Sequence, residues 1–243
     1  MKSLITIFML IFSSCISQRM PEVESIEIKT NGNGKGNQLL LEFVKGPAHN
    51  HPSMALWVEN PEGKYIETLF VTQYVATGSY EHGDLGEGKW SDKPGVARRP
   101  ASLPYWAHKR GIKAADGLYI PSRENPLPDA LTAATPKGNF KLNTSLTSPQ
   151  NGKFRLMLEV NQPWDSNKFW TNNRFPDDKE YFTSLQPSLV YSAIIDPAET
   201  GDPVFLNPVG HGHPSGADGK LFTDLTTLTT AKEIIHSVSI RLK

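Results

Sequence analysis

The chain has 243 residues, with 25 basic and 25 acidic side chains that cancel, which leaves neither the basic field that nucleic-acid binding draws on nor an acidic tail. Apolar residues make up 38% of it and aromatics 9%, enough to bury the core of one generous β domain or two small ones. The only cysteine is Cys15, so no internal disulfide framework is possible and stability must come from packing.

In chain order, residues 1–14 have the build of a secretory signal: Lys2 precedes an apolar run over residues 4–12 that is too short for a mature membrane span. Residues 15–22 follow as a linker, and residues 23–243 are expected to form one domain. Residues 23–29 alternate in polarity and are joined to the apolar residues 38–44 by an Asn/Gly-rich segment, 31–37, which predicts a first hairpin. Residues 54–59 and 65–72 flank a Pro/Gly turn and predict a second. Residues 140–144, 153–160, 189–195, 204–206 and 234–242 bring the total to about nine strands with few helical patterns between them. The expected fold class is therefore all-β, an immunoglobulin-like antiparallel sandwich. A long insertion at about residues 76–128 interrupts it and holds one predicted short helix, residues 99–110, with Pro104 near its first turn and Gly111 past its end.

The insertion delivers the chain to Asp129, Thr132, Ala133, Ala134 and Thr135, small side chains between a Pro-rich approach and a Thr-Pro-Lys-Gly turn. Such a loop lets a partner approach its backbone and hydroxyls; it is equally the composition of a turn whose Asp129 and Thr132 side chains bond nearby backbone. His49 and His51, and His211 and His213, form two His-x-His pairs, with His82 and His108 as further candidates. On extended backbone i and i+2 share a face, the spacing a chelating pair needs, and four converging imidazoles would suit zinc or copper. Both pairs abut Pro or Gly and read as loops. Trp90, Tyr105, Trp106, Trp164, Trp170 and Tyr181 fall outside the strands, where they either plug the insertion onto the sheets or build a ligand face for a glycan or partner. No nucleophile elbow, phosphate-binding loop, zinc-protease helix or calcium loop is present, so no intrinsic catalytic constellation is recognised.

Three resemblances extend this reading. The small residues before Cys15 resemble a bacterial lipobox, which implies an acylated Cys15 and a membrane-anchored protein outside the cytoplasm, facing the periplasm or the cell surface. Asp129, Thr132, Ala134 and Thr135 are similar to the acceptor motif of bacterial flavin transferases, with Ala133 where that pattern has Gly. This implies FMN joined to Thr135 through a phosphoester, with a flavin transferase and redox proteins as partners, and Tyr105, Trp106, Trp164 or Trp170 as walls for the flavin ring. Residues 99–110, 129–140 and 154–161, preceded by the strand 55–59, follow one another as in an uncharacterised family of predicted periplasmic proteins. The function expected is an extracytoplasmic electron carrier with covalent FMN; the alternative is a cofactor-free binding or structural module that holds a metal, glycan or partner.

Overall fold

The computed structural model describes residues 25–86, 89–199 and 201–243; the predicted signal 1–14, Cys15 and the linker 15–22 lie outside them. The chain begins with β1 (Ile26–Lys29), β2 (Gln38–Lys45), β3 (Ser53–Glu59), β4 (Tyr65–Thr72) and the helix α1 (Gln73–Thr77). Next come β5 (Ser79–Tyr80), β6 (Asp84–Gly86), β7 (Lys89–Trp90), β8 (Gly95–Val96) and the helix α2 (Pro104–Arg110). The remaining strands are β9 (Thr132–Ala133), β10 (Phe140–Ser145), β11 (Phe154–Asn161), β12 (Leu189–Ile195), β13 (Val204–Phe205), β14 (Asn207–His211) and β15 (Ile235–Leu242).

Two sheets pack together, one ordered β1-β10-β2-β15-β13 and the other β14-β12-β11-β3-β4-β9. Both are mixed, which corrects the antiparallel expectation: β1 runs parallel to β10, and β9 parallel to β4. The second predicted hairpin forms as β3 and β4. The first does not, because β10 lies between β1 and β2. Residues 31–37 therefore arch across the end of β10, where Gly36 N–H donates to Leu146 O at 2.8 Å. A Cβ on Gly36 would run into the Ser148 carbonyl, so this glycine serves a close backbone approach rather than a tight turn.

Alternation along the second sheet explains why it is buried on both faces. Met54, Leu56 and Val58 of β3, with Leu156, Leu158 and Val160 of β11, join the core between the sheets. Ala55, Trp57 and Met157 point the other way, into a second cluster with Val75, Leu103 and Trp106. The insertion thus forms a third layer over the outer face of this sheet, and its β5–β8 and β6–β7 pairs are two further small sheets.

Helix α2 is shorter than predicted. Pro104 stands at its first turn and steers Leu103 to φ −142°, ψ 60°, so residues 99–103 stay outside the helix. No side chain of its own caps the helix; a buried acid from β11 does so instead. Glu159 accepts from Trp106 N–H at 2.7 Å and from Tyr105 N–H at 3.2 Å, and Ser188 Oγ–H also donates to it. Burial pushes the Glu159 carboxyl up to about 7 against these stabilising donors. At the other end Lys109 lies 3.5 Å from the buried Glu59, which also accepts from Trp57 Nε1–H at 3.0 Å.

Candidate functional site

The stretch 129–137 is fastened to the second sheet at its edge. Asp129–Leu131 make one 3₁₀ turn, and Thr132 and Ala133 then pair with Val71 and Thr72 at the end of β4. Ala133 lies in extended backbone without a positive φ, so the conformation here places no demand for glycine at that position. Thr132 Oγ1–H bonds back to Asp129 O at 3.2 Å, the local turn bond expected of these residues. Asp129 is exposed. The pairing sets Thr135 beside the Tyr74 phenol, on the helix that follows β4 directly.

One turn later the loop is held by His49, whose Nε2–H donates to Pro136 O at 2.9 Å while the ring packs edge-on to Phe43 of the first sheet at 5.6 Å. Burial keeps the His49 ring below the usual imidazole range. His51, at φ 50°, accepts the Tyr74 O–H on its carbonyl at 3.0 Å.

These elements enclose a cleft of about 760 Å³, within the size range of small-molecule and cofactor sites. Ala134, Thr135 and Lys137 line it together with Tyr74, Tyr80, Trp164 and Arg99. Thr135 Oγ1 is buried, and its polar neighbour, the Tyr74 phenol, gives its own proton to the His51 carbonyl and lies outside hydrogen-bonding geometry with Thr135. Arg99 is 6% exposed, with its guanidinium carbon 4.3 Å from the Tyr80 ring, 4.8 Å from Trp90 and 5.0 Å from Trp164. Tyr74 stacks at a tilt on Tyr80, 5.1 Å between ring centres, linking the Thr135 side of the cleft to the Arg99 side. Burial raises the phenols of Tyr74 and Tyr80, which keeps both neutral.

The site therefore gathers Thr135, Ala134, His51 and His82 from the predicted residues, and leaves Asp129, Thr132 and His49 outside the cleft lining. Of the predicted aromatic walls, Trp164 lines it, 48% exposed. Tyr105 and Trp106 are buried beneath α2, and Trp170 belongs to the core between the sheets, so these three do not form walls. Tyr74, Tyr80 and Arg99 escaped sequence reading, since nothing local marks them. The one signal was the Arg98-Arg99 pair in a segment rich in proline.

The histidine pairs do not form a common cluster. Among the described residues no group of three or more His, Cys, Asp or Glu is placed to hold a metal, which corrects the picture of four converging imidazoles. His211 ends β14, is buried, and lies flat on Phe222 at 5.3 Å with Nδ1–H donating to Gly212 O at 2.7 Å. His213 Nδ1 accepts from Ser215 N–H at 3.2 Å and so closes a turn. Between them Gly212 presses against Pro104, Ser188 and Glu159 with no space for a Cβ. Gly212 is thus selected by the closeness of β14 and α2, independently of any metal. His108 bonds Pro104 O at 2.8 Å and His82 bonds Ser91 O at 2.9 Å.

Compared with known proteins, the chain matches no family model, and no curated protein or solved structure is significantly similar to it.

Proposed function

We propose that the chain is an exported, lipid-anchored carrier of FMN bound covalently at Thr135, which passes electrons between partner proteins outside the cytoplasm. The observation that carries this reading is that Thr135, the acceptor hydroxyl of the motif, lies without a hydrogen-bond partner in the wall of a cofactor-sized cleft with aromatic sides. In the modification, Thr135 Oγ1 attacks phosphorus in a flavin phosphoanhydride held by the transferase. The Oγ1–P bond forms as the anhydride P–O bond breaks, and the displaced nucleotide leaves with the hydroxyl proton. The flavin, once bound, supplies reversible electron transfer.

The chain's own residues then position the group and shield it from water: Tyr74, Tyr80 and Trp164 offer apolar faces to a flat ring. Asp129, exposed, and Thr132 serve recognition by the transferase. Because Thr135 Oγ1 is buried, the segment 134–138 lifts before it reacts, which breaks the His49 bond and withdraws the buried Pro136 ring. The immunoglobulin-like reading of the scaffold rests on the face-to-face pair of sheets alone. That same burial of Oγ1 favours the second reading, a cofactor-free module whose cleft takes a soluble ligand or a partner's side chain.

Co-expression with a flavin transferase separates the two. The carrier reading expects flavin fluorescence that travels with the denatured chain, persists in Thr135→Ser and is absent from Thr135→Ala. A colourless denatured chain, beside a control acceptor that is modified, rejects it.

A further inference from the structure

We propose that Arg99 is the anion-binding residue of the cleft, and that it takes the phosphate of a phosphate-bearing ligand. An arginine only 6% exposed is ordinarily matched by a carboxylate or by carbonyls, because a buried cation without a partner is unfavourable. The adjacent arginine shows that arrangement: Arg98 bonds both oxygens of Asp116, at 2.6 and 3.1 Å, and the Pro121 carbonyl. Arg110, half-buried over the Trp106 ring and likewise with one buried nitrogen unpartnered, sits at the carboxyl end of α2, where the helix field favours a cation.

Arg99 has neither solution. Its guanidinium forms no hydrogen bond or ion pair among the described residues, and Nε is fully buried without a partner. Asp84, the acid whose charge acts on it, is exposed on the β6 strand and does not bond it, and Glu81, which lines the cleft, makes no ion pair with it. The rings of Tyr80, Trp90 and Trp164 hold the guanidinium in place, and they satisfy none of its N–H groups. A fixed, dehydrated fork of donors at a cleft matches the paired oxygens of a phosphate. Lys137 and the orphan hydroxyl of Thr135 line the same space and complete a set of groups suited to a phosphate or its ester.

The choice of phosphate over another anion rests on the flavin reading; the need for an anion rests on Arg99 itself. The test is binding of FMN and of riboflavin to the purified unmodified chain, followed by quenching of flavin fluorescence. FMN should bind at least tenfold more tightly than riboflavin, inorganic phosphate should compete with it, and the preference should survive in Thr135→Ala. In Arg99→Gln the two flavins should bind equally, with Arg99→Lys intermediate, each variant checked for a cooperative melt. Equal binding of both flavins by the unaltered chain, or no binding of either, overturns the proposal whatever the variants do. So does a preference for FMN that persists in a folded Arg99→Gln. A phosphate preference in a chain never modified at Thr135 would reject covalent attachment and leave Arg99 standing, whereas modification without that preference would reject Arg99 alone.

Discussion

Glu159 and His49 are single residues whose pKa values burial has moved in opposite directions, each towards the neutral form. Glu159 titrates at about 7 in the folded chain against an ordinary 4.5, so between those values the folded state holds the extra proton. Its contribution to stability is full below pH 4.5 and falls as the pH rises to about 7. Glu180 is also pushed up to about 7, by burial and by Asp178, so a comparison with Glu159→Gln is needed to isolate the first. The variant loses an acceptor for the α2 amides and should be less stable by roughly 1–3 kcal/mol at pH 5. Urea titrations should show the gap narrowing towards about pH 7.5, because only the unaltered chain loses the proton. A constant gap would remove the buried proton from the account. His49 has the reverse sign. Its pKa is depressed below 6.5, so its contribution is full above that pH and is lost as pH falls through the folded value.

At the scale of elements, His49 decides how firmly the acceptor loop is seated. Its bond to Pro136 O is the tie between that loop and the first sheet. His49→Ala should speed amide exchange over residues 134–138 by up to about tenfold, the equivalent of one net hydrogen bond, while β3 and β11 stay protected. Lowering the pH should likewise reduce the protection of 134–138 in the unaltered chain, measured relative to the slower intrinsic exchange at that pH, because the buried ring resists its charge. If 134–138 exchange at the same rate in both proteins, His49 does not seat the loop.

Helix α2 is seated at two ends by acids from neighbouring strands, and Gly212 lets β14 come close enough to complete the contact. Gly212→Ala should therefore cost about 1–3 kcal/mol by overpacking. Trp106→Ala, which empties a fully buried site and removes the indole N–H bond to Thr68 Oγ1, should cost about 3–5 kcal/mol. Thermal melts check both, and a neutral Gly212→Ala would return that glycine to the loop reading.

For the whole molecule, the strong strands were legible because period-2 patterning survives burial on one or both faces: β2, β3, β4, β11, β12 and β15 fall within a residue or two of expectation. What the sequence hid was pairing. Nothing in residues 26–29 says that their partner is β10, more than a hundred residues on, rather than β2, since register is set by contacts across the core. β14 was missed because Pro208 and Gly210 mimic a loop, and a sheet edge tolerates both. The candidate site was half legible. The small-residue stretch with Thr135 was visible as a motif, while Arg99, Tyr74 and Tyr80 became a site only when the third layer folded over the second sheet.

The measurement that tests the central claim most directly is the mass of the tryptic peptide 124–137, from protein made together with a flavin transferase. The account predicts that this peptide carries an FMN phosphoester and that its fragment ions place the added mass on Thr135. A peptide of unmodified mass, or fragments that put the flavin on Thr132, would contradict it.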